Sequence, residues 1–125
     1  YGNAQIEGIS GFAFEMARAA KRVIVSAEEI VDTEEIRRYP DRTIIPYYLV
    51  DAVVHAPFGS HPGEMVYRYE RDEEHIRDYV QASQTPEGMQ AYMDRYVYGV
   101  RNHQEYLEVI GAERLEYLKR TCVGR

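Results

Sequence analysis

The first half of the chain alternates short apolar segments with turns that contain glycine or proline, and this pattern predicts an α/β organisation. Three apolar segments predict strands over 4–6, 22–27 and 43–45. A fourth apolar segment, 52–56, fits either a strand or a helix, and we favour a strand. Residues 12–21 carry apolar side chains at helical spacing between the first two strands. The order strand, helix, strand predicts a βαβ crossover.

The same segments indicate which faces are buried. Segment 22–27 is apolar and β-branched without alternation, which is typical of a strand covered on both faces in a parallel sheet. In the helix before it, the apolar stripe expected to cover the sheet consists of Phe12, Met16, Ala19 and Ala20.

From Asp72 onward the apolar positions recur at helical spacing. Asp72, Thr85 and Asn102 are predicted N-caps, because their side chains accept hydrogen bonds from first-turn amides. The helix after Thr85 carries an apolar stripe formed by Met89, Tyr92, Met93, Tyr96, Val97 and Val100. Gly111 is predicted to end the next helix in a left-handed turn, before a last short helix around Leu115. The chain therefore divides into a strand-rich α/β portion, 1–71, and a helical portion, 72–125.

Composition restricts the classes of partner. The formal net charge of -6 speaks against nucleic acid, whose phosphates require a basic face. No apolar run approaches the ~18 residues of a membrane span. Cys122 is the lone cysteine, so an internal disulfide is excluded and a reducing, cytoplasmic setting is favoured. The 12 tyrosines fit either a contact surface for a partner or the edge of a core. Because the sequence opens on Tyr1 without methionine, we expect it to be part of a longer polypeptide.

The histidines do not have metal-site spacing. His55, His61, His75 and His103 include no pair at i,i+3 or i,i+4 on one predicted helix, so no metal site is predicted. His75 and His103 fall in first turns of helices beside acids, which predicts surface positions. His55 lies in an apolar strand and is expected to be a half-buried imidazole.

His61 has a different setting, because glycines and prolines surround it directly after a strand. Ligands of open α/β sheets bind outside the carboxyl ends of strands. We therefore expect His61, set among Gly59, Ser60, Pro62 and Gly63, to orient a substrate carboxylate or thioester with its imidazole. The alternative is that these residues only shape a turn.

Glutamates follow the first two strands. Glu7 lies in a glycine-rich turn and is a candidate carboxylate nucleophile, although a plain polar turn residue is the simpler interpretation. Glu28 and Glu29 close the second strand, and we expect them to lead into the short helix that Asp32 is predicted to cap.

With these elements in place, the chain resembles the A (alpha) subunits of family I CoA-transferases, and among them the glutaconate CoA-transferases. The most specific stretch is Ile-Pro-Tyr-Tyr-Leu-Val-Asp-Ala-Val-Val-His-Ala-Pro-Phe-Gly-Ser-His-Pro-Gly, over 45–63. Further similar stretches are 1–6, 20–31, 96–100 and 105–107.

The resemblance implies a three-layer α/β/α fold with an open, largely parallel sheet, here a partial domain followed by helices. It also implies transfer of CoA between an acyl-CoA, such as acetyl-CoA, and a carboxylic acid such as glutaconate. The nucleophilic glutamate is expected on a B (beta) subunit, so no catalytic residue is expected in this chain. CoA esters would be substrates, with no tightly bound cofactor. Residues implied near the substrate are Gly2, Asn3, Gly59, Ser60, His61 and Pro62.

Other functions stay open. The same scaffold is expected to host a CoA-ester hydrolase or a ring-opening relative. A non-catalytic interaction module is the third possibility, with Tyr92, Tyr96 and Tyr98 on an assembly face. We also expect the chain alone to be marginally stable, because the strands at 4–6 and 23–27 need neighbours.

Overall fold

The computed structural model describes residues 2–122. These residues form two compact units, the first ending at Gly59 and the second beginning at Ser60. The strands of the first unit are β1 (Ala4–Gln5), β2 (Ile24–Ala27), β3 (Thr43–Ile45) and β4 (Ala52–His55). The α-helices are α1 (Ala13–Ala19) and α2 (Thr33–Arg38) in the first unit, then α3 (Glu73–Ala82), α4 (Pro86–Met93), α5 (His103–Ile110) and α6 (Ala112–Thr121) in the second. The predicted order, an α/β portion followed by helices, is confirmed. Residues 60–71, placed in the strand-rich portion by the sequence, belong to the helical unit.

The first unit contains one parallel and one antiparallel pair of strands. β2 pairs in parallel with β4, in a register that sets Ile24 opposite Ala52 and Ala27 opposite His55. β1 pairs instead with β3, antiparallel, so the predicted β1–α1–β2 crossover is wrong. Gln5 accounts for the difference, because its side-chain amide donates to the carbonyl of Ile36 at 2.9 Å and holds β1 beside the segment that leads into β3.

The apolar stripe of α1 faces outward. Phe12 and Met16 are 78% and 69% exposed, whereas the small Ala17 is buried. A methyl side chain lets the helix approach β3 closely, and the larger side chains then lie on the opposite side. The expected burial of β2 on both faces is also wrong for this chain, since Ile24 is 70% exposed. Likewise His55, predicted half-buried, lies in a strand whose four residues are all exposed.

Helix starts follow the predicted caps in the second unit. The side chains of Asp72, Thr85 and Asn102 each accept a hydrogen bond from the amide three residues later, at 3.0 Å. In the first unit Asp32 does precede α2, but its side chain makes no capping hydrogen bond. Gly111 follows α5 with φ +93° and ψ 138°, a positive φ but an extended ψ, so the left-handed turn expected there is not formed.

The end of α4 widens into a π-helical turn, Asp94–Tyr98, which stops at Gly99. A Cβ on Gly99 would lie 2.5 Å from the carbonyl oxygen of Asp94, so the turn requires glycine there. The core of the second unit includes Leu118, Tyr69 and Leu107. None of the helices in residues 2–122 has both the length and the apolarity that crossing a bilayer demands.

Candidate functional site

A cluster of buried polar side chains lies at the centre of the second unit. Asp72, at the start of α3, is 2% exposed. Its carboxylate accepts from Arg114 Nη2 at 2.6 Å and Nε at 3.1 Å, and lies 3.1 Å from His61 Nε2. The other ring nitrogen of His61 lies 2.6 Å from the hydroxyl of Tyr106. Residues from three helices and from the turn after Gly59 thus meet around one carboxylate, and we call this group the Asp72 cluster.

His75 extends the Asp72 cluster toward α4. It is 6% exposed, and its Nε2 lies 2.8 Å from the hydroxyl of Tyr92. Its ring contacts His61 and Tyr96 edge-on, with centroid separations of 5.0 and 4.7 Å. The prediction that His75 is a surface residue is therefore wrong. The predicted position within the first turn of α3 is confirmed, but the tyrosines that cover the ring, Tyr92 of α4 and Tyr96 of the following π-helical turn, are distant in the sequence.

Burial and charge set the protonation states of the Asp72 cluster. Burial alone would raise the pKa of Asp72, but hydrogen bonds from Arg114, the amide of His75 and His61 hold that pKa well below its usual range. Burial lowers the pKa of His61, and the nearby Asp72 offsets only part of this effect. The pKa of His75 is also lowered by burial, with a further contribution from His61. Burial raises the pKa of Tyr106 to about 12. At neutral pH the cluster therefore holds two neutral imidazoles and one ion pair.

Three donor groups of the Asp72 cluster lie close enough together to suggest a metal site. One donor atom each from His61, Asp72 and His75 fall within 4.8 Å of one another. Their lone pairs are already engaged, since Asp72 accepts four hydrogen bonds and each histidine has a tyrosine partner. The guanidinium of Arg114 also supplies the positive charge that a metal ion would bring. This donor set fits a structural hydrogen-bond network better than a metal site.

In the first unit, Glu28 binds the turn that follows β4. Its carboxylate oxygens accept from the amide of Phe58 at 2.6 Å and from that of Gly59 at 3.0 Å. Phe58 has a left-handed backbone, with φ +58°. A Cβ on Gly59 would lie 2.7 Å from the carbonyl oxygen of Ala56. The expectation that Glu28 merely leads into α2 missed this contact, because the sequence does not show that β2 and β4 end side by side.

The remaining predicted site residues have structural partners of their own. Gly2 has φ +87°, and a Cβ there would lie 3.6 Å from Val50. Asn3 Oδ1 accepts from the amide of Tyr47 at 2.8 Å. Glu7, the candidate nucleophile, forms an ion pair with Arg42 at 3.3 Å.

Hydrogen bonds also hold the backbone of the turn after Gly59, which contains His61. The amide of Ser60 donates to the hydroxyl of Tyr69 at 3.0 Å, and the carbonyl of Pro62 accepts from the amide of Asp72 at 2.9 Å. The side chain of His61 is 0% exposed, which makes it an anchor of this turn in the described structure. Contact of His61, Ser60 and Pro62 with substrate stays a prediction.

Among the tyrosines expected on an assembly face, Tyr98 is 68% exposed. Tyr92 and Tyr96 pack instead against His75, at centroid separations of 5.6 and 4.7 Å. The core-edge interpretation therefore applies to Tyr92 and Tyr96, whereas a place for Tyr98 on an assembly face stays a prediction.

Comparison with known proteins gives consistent results. Residues 1–56 match the family model described as coenzyme A transferase. An uncharacterized protein of Archaeoglobus fulgidus is 57% identical over 96% of this chain and 27% of its own length. The A subunit of glutaconate CoA-transferase from Acidaminococcus fermentans is 43% identical over 84% of this chain and 33% of its own length. A protein of Mycobacterium tuberculosis named cholesterol ring-cleaving hydrolase IpdA subunit is 34% identical over 91% of this chain and 40% of its own length.

The fold agrees with these sequence matches. The crystal structure of glutaconate coenzyme A-transferase from Acidaminococcus fermentans superimposes with a TM-score of 0.90 and 40% identity. The match covers 94% of this chain and 37% of that one. The chain thus spans between about a quarter and two fifths of the relatives it matches. It belongs to the family I coenzyme A transferases and is related to their A subunits.

Proposed function

We propose that this chain is a segment of the A subunit of a CoA-transferase. The enzyme moves CoA between an acyl-CoA, such as acetyl-CoA, and a carboxylic acid such as glutaconate. The observation that supports this most directly is the superposition, at a TM-score of 0.90 and 40% identity, on a solved glutaconate coenzyme A-transferase. The partner is a B subunit, since two of the matched relatives are named as A subunits of CoA-transferases.

The proposed reaction proceeds through covalent intermediates on the partner. A glutamate of the B subunit uses its carboxylate to attack the acyl-CoA carbonyl, and the CoA thiolate leaves as a mixed anhydride forms. The thiolate then attacks the glutamyl carbonyl of the anhydride, which releases the carboxylate of the donor acid and gives a glutamyl-CoA thioester. The acceptor acid repeats both steps in reverse order. Each exchange joins intermediates of similar energy, so the sequence is reversible.

Within this scheme the chain contributes binding surface. The turn after β4 lies at the carboxyl end of a parallel strand, where open α/β sheets bind ligands. The residues we propose to lie near the substrate are Gly59, Ser60, His61 and Pro62 in that segment, together with Gly2 and Asn3. We propose a cytoplasmic setting, in keeping with the lone Cys122.

An isotope-exchange assay tests the transferase. The full-length A subunit that contains this segment is co-expressed with its B subunit, and the complex is incubated with acetyl-CoA and labelled acetate. A transferase moves the label into acetyl-CoA, because the thioester intermediate forms reversibly. Complexes that assemble but exchange no label, with acetate or with a dicarboxylate such as glutaconate, contradict the proposal.

A hydrolase or ring-cleaving enzyme is the second candidate, supported by the 34% identity to the protein named as a ring-cleaving hydrolase subunit. Water would then replace the acceptor acid, and CoA and free acid would be released without label exchange. If the complex forms but shows neither exchange nor hydrolysis, the segment is an interaction module.

A further inference from the structure

Glu28 connects the carboxyl ends of two neighbouring parallel strands. It directly follows β2, and it binds the turn that begins after the last residue of β4. Since β2 and β4 are paired in register, both ends lie at one edge of the pair. The carboxylate is bidentate, with one oxygen for the amide of Phe58 and the other for the amide of Gly59.

The backbone conformation of the turn that Glu28 holds is restricted at both Phe58 and Gly59. The backbone of Phe58 lies in the left-handed region, which bulky residues rarely adopt unless surrounding contacts impose it. Gly59 approaches the carbonyl of Ala56 too closely to tolerate a Cβ. Two consecutive amides then point toward one acceptor. A carboxylate satisfies both at once, and hydrogen bonds to an ionised acceptor are stronger than neutral ones.

The geometry points to Glu28 as a positioning residue that fixes the turn 57–59 and thereby raises the affinity of the enzyme for its substrate. The affinity part of this inference rests on the proposed function, in which Gly59 lies near the substrate. A turn already held in its binding conformation does not have to be ordered by the ligand. If the turn loosens, the binding-competent fraction falls and the apparent dissociation constant rises in proportion.

Glu28→Gln is the variant that tests the structural part. The glutamine side chain has the same length and keeps one acceptor oxygen. Its NH2 group would face the second backbone N–H, which would therefore lose its acceptor. Hydrogen exchange is measured on the full-length A subunit in complex with its B subunit. We expect the amides of Phe58 and Gly59 to exchange about tenfold faster, with other amides unchanged. Glu34→Gln is the matched control, because Glu34 is exposed and pairs with Arg37 on α2. Unchanged exchange at Phe58 and Gly59 in Glu28→Gln overturns the inference.

Kinetics of the same complexes test the functional part. If the competent fraction falls to about a tenth, KM for the acyl-CoA rises about tenfold while kcat changes less than about twofold. A residue that only stabilises the fold would lower the active fraction, and so the apparent kcat, without moving KM. An unchanged KM despite faster exchange also overturns the inference. Should the wild-type complex transfer no CoA, the proposed function fails. Calorimetric affinity for CoA then replaces KM, and equal affinity in wild type and Glu28→Gln refutes a role for Glu28 in binding.

Discussion

Asp72→Asn is the substitution that tests the buried cluster most sharply. Asp72 is 2% exposed and neutralises Arg114 through two hydrogen bonds. Breaking a buried ion pair by removing one partner costs about 3–5 kcal/mol. The side chain of Arg114 is 28% exposed, so water solvates part of the remaining charge. Asparagine also keeps an oxygen that can cap α3. We therefore expect Asp72→Asn to lower the free energy of unfolding by about 2 kcal/mol.

Asp72→Ala separates the two roles of this carboxylate. It removes the ion pair and also the cap at the amide of His75, which is worth about 1 kcal/mol, so its total loss should reach about 3 kcal/mol. Urea denaturation of the full-length A subunit that contains this segment, followed by far-ultraviolet circular dichroism, measures both variants, because the chain alone is expected to be only marginally stable. Asp78→Asn makes the same chemical change on the exposed side of α3 and should shift stability by less than about 0.5 kcal/mol. Equal losses in Asp72→Asn and Asp78→Asn would refute the reasoning.

Three further measurements address pH, the turn and the first unit. The pKa values of His61 and His75 are lowered in the folded chain. Below about pH 6.5 these histidines therefore bind protons more readily in the unfolded chain than in the folded one, so the free energy of unfolding should fall as the pH drops through that value. Urea midpoints between pH 8 and pH 5 check this. The His75→Phe variant should show a flatter pH dependence, and an undiminished slope would contradict the assignment. Gly59→Ala should lower the free energy of unfolding of the full-length A subunit by about 1–3 kcal/mol, because the new methyl group would clash with the carbonyl of Ala56. The melting temperature should fall accordingly, and an unchanged melting temperature would show that the turn can shift to accommodate a Cβ. His61→Ala should lower turnover of the assembled enzyme, and an unchanged rate would remove this residue from the site. In the chain alone, amides of β2 and β4 should exchange faster than those of α3 and α6, since the two-stranded parallel pair is partly solvent-exposed; equal protection would contradict that expectation.

Local signals in the sequence predict much of this fold. Strand β3 has the predicted bounds, and the three N-caps of the helical unit come directly from Asp, Thr and Asn preceding apolar stripes. These features depend on residues within one turn or strand of each other. Pairing depends on distant residues instead: Gln5 places β1 beside β3 through contacts 31 residues or more away. A periodicity argument therefore identifies the element but not its neighbour.

The candidate site shows the same division. The sequence singles out His61 through its glycine and proline neighbours, but its partners Asp72 and Tyr106 lie 11 and 45 residues away, and Arg114, which binds Asp72, comes from yet another helix. For Glu28 the sequence predicts only a lead-in to α2, because its partner amides lie 30 and 31 residues away. Outward-facing Phe12 illustrates a different failure, since a stripe at helical spacing indicates an apolar face but not which molecule or segment covers it.

The guanidinium in the Asp72 cluster has a consequence for protein engineering. Arg114 occupies lone pairs on a carboxylate that has two imidazoles beside it, and the three donors already lie within 4.8 Å of one another. Shortening Arg114 to alanine would leave an anionic His–Asp–His set without its internal counterion, which is the donor chemistry that zinc prefers. Replacing Arg114 together with the tyrosine partners of the two imidazoles, Tyr92 and Tyr106, thus offers a starting point for designing a metal-dependent switch into this helical unit.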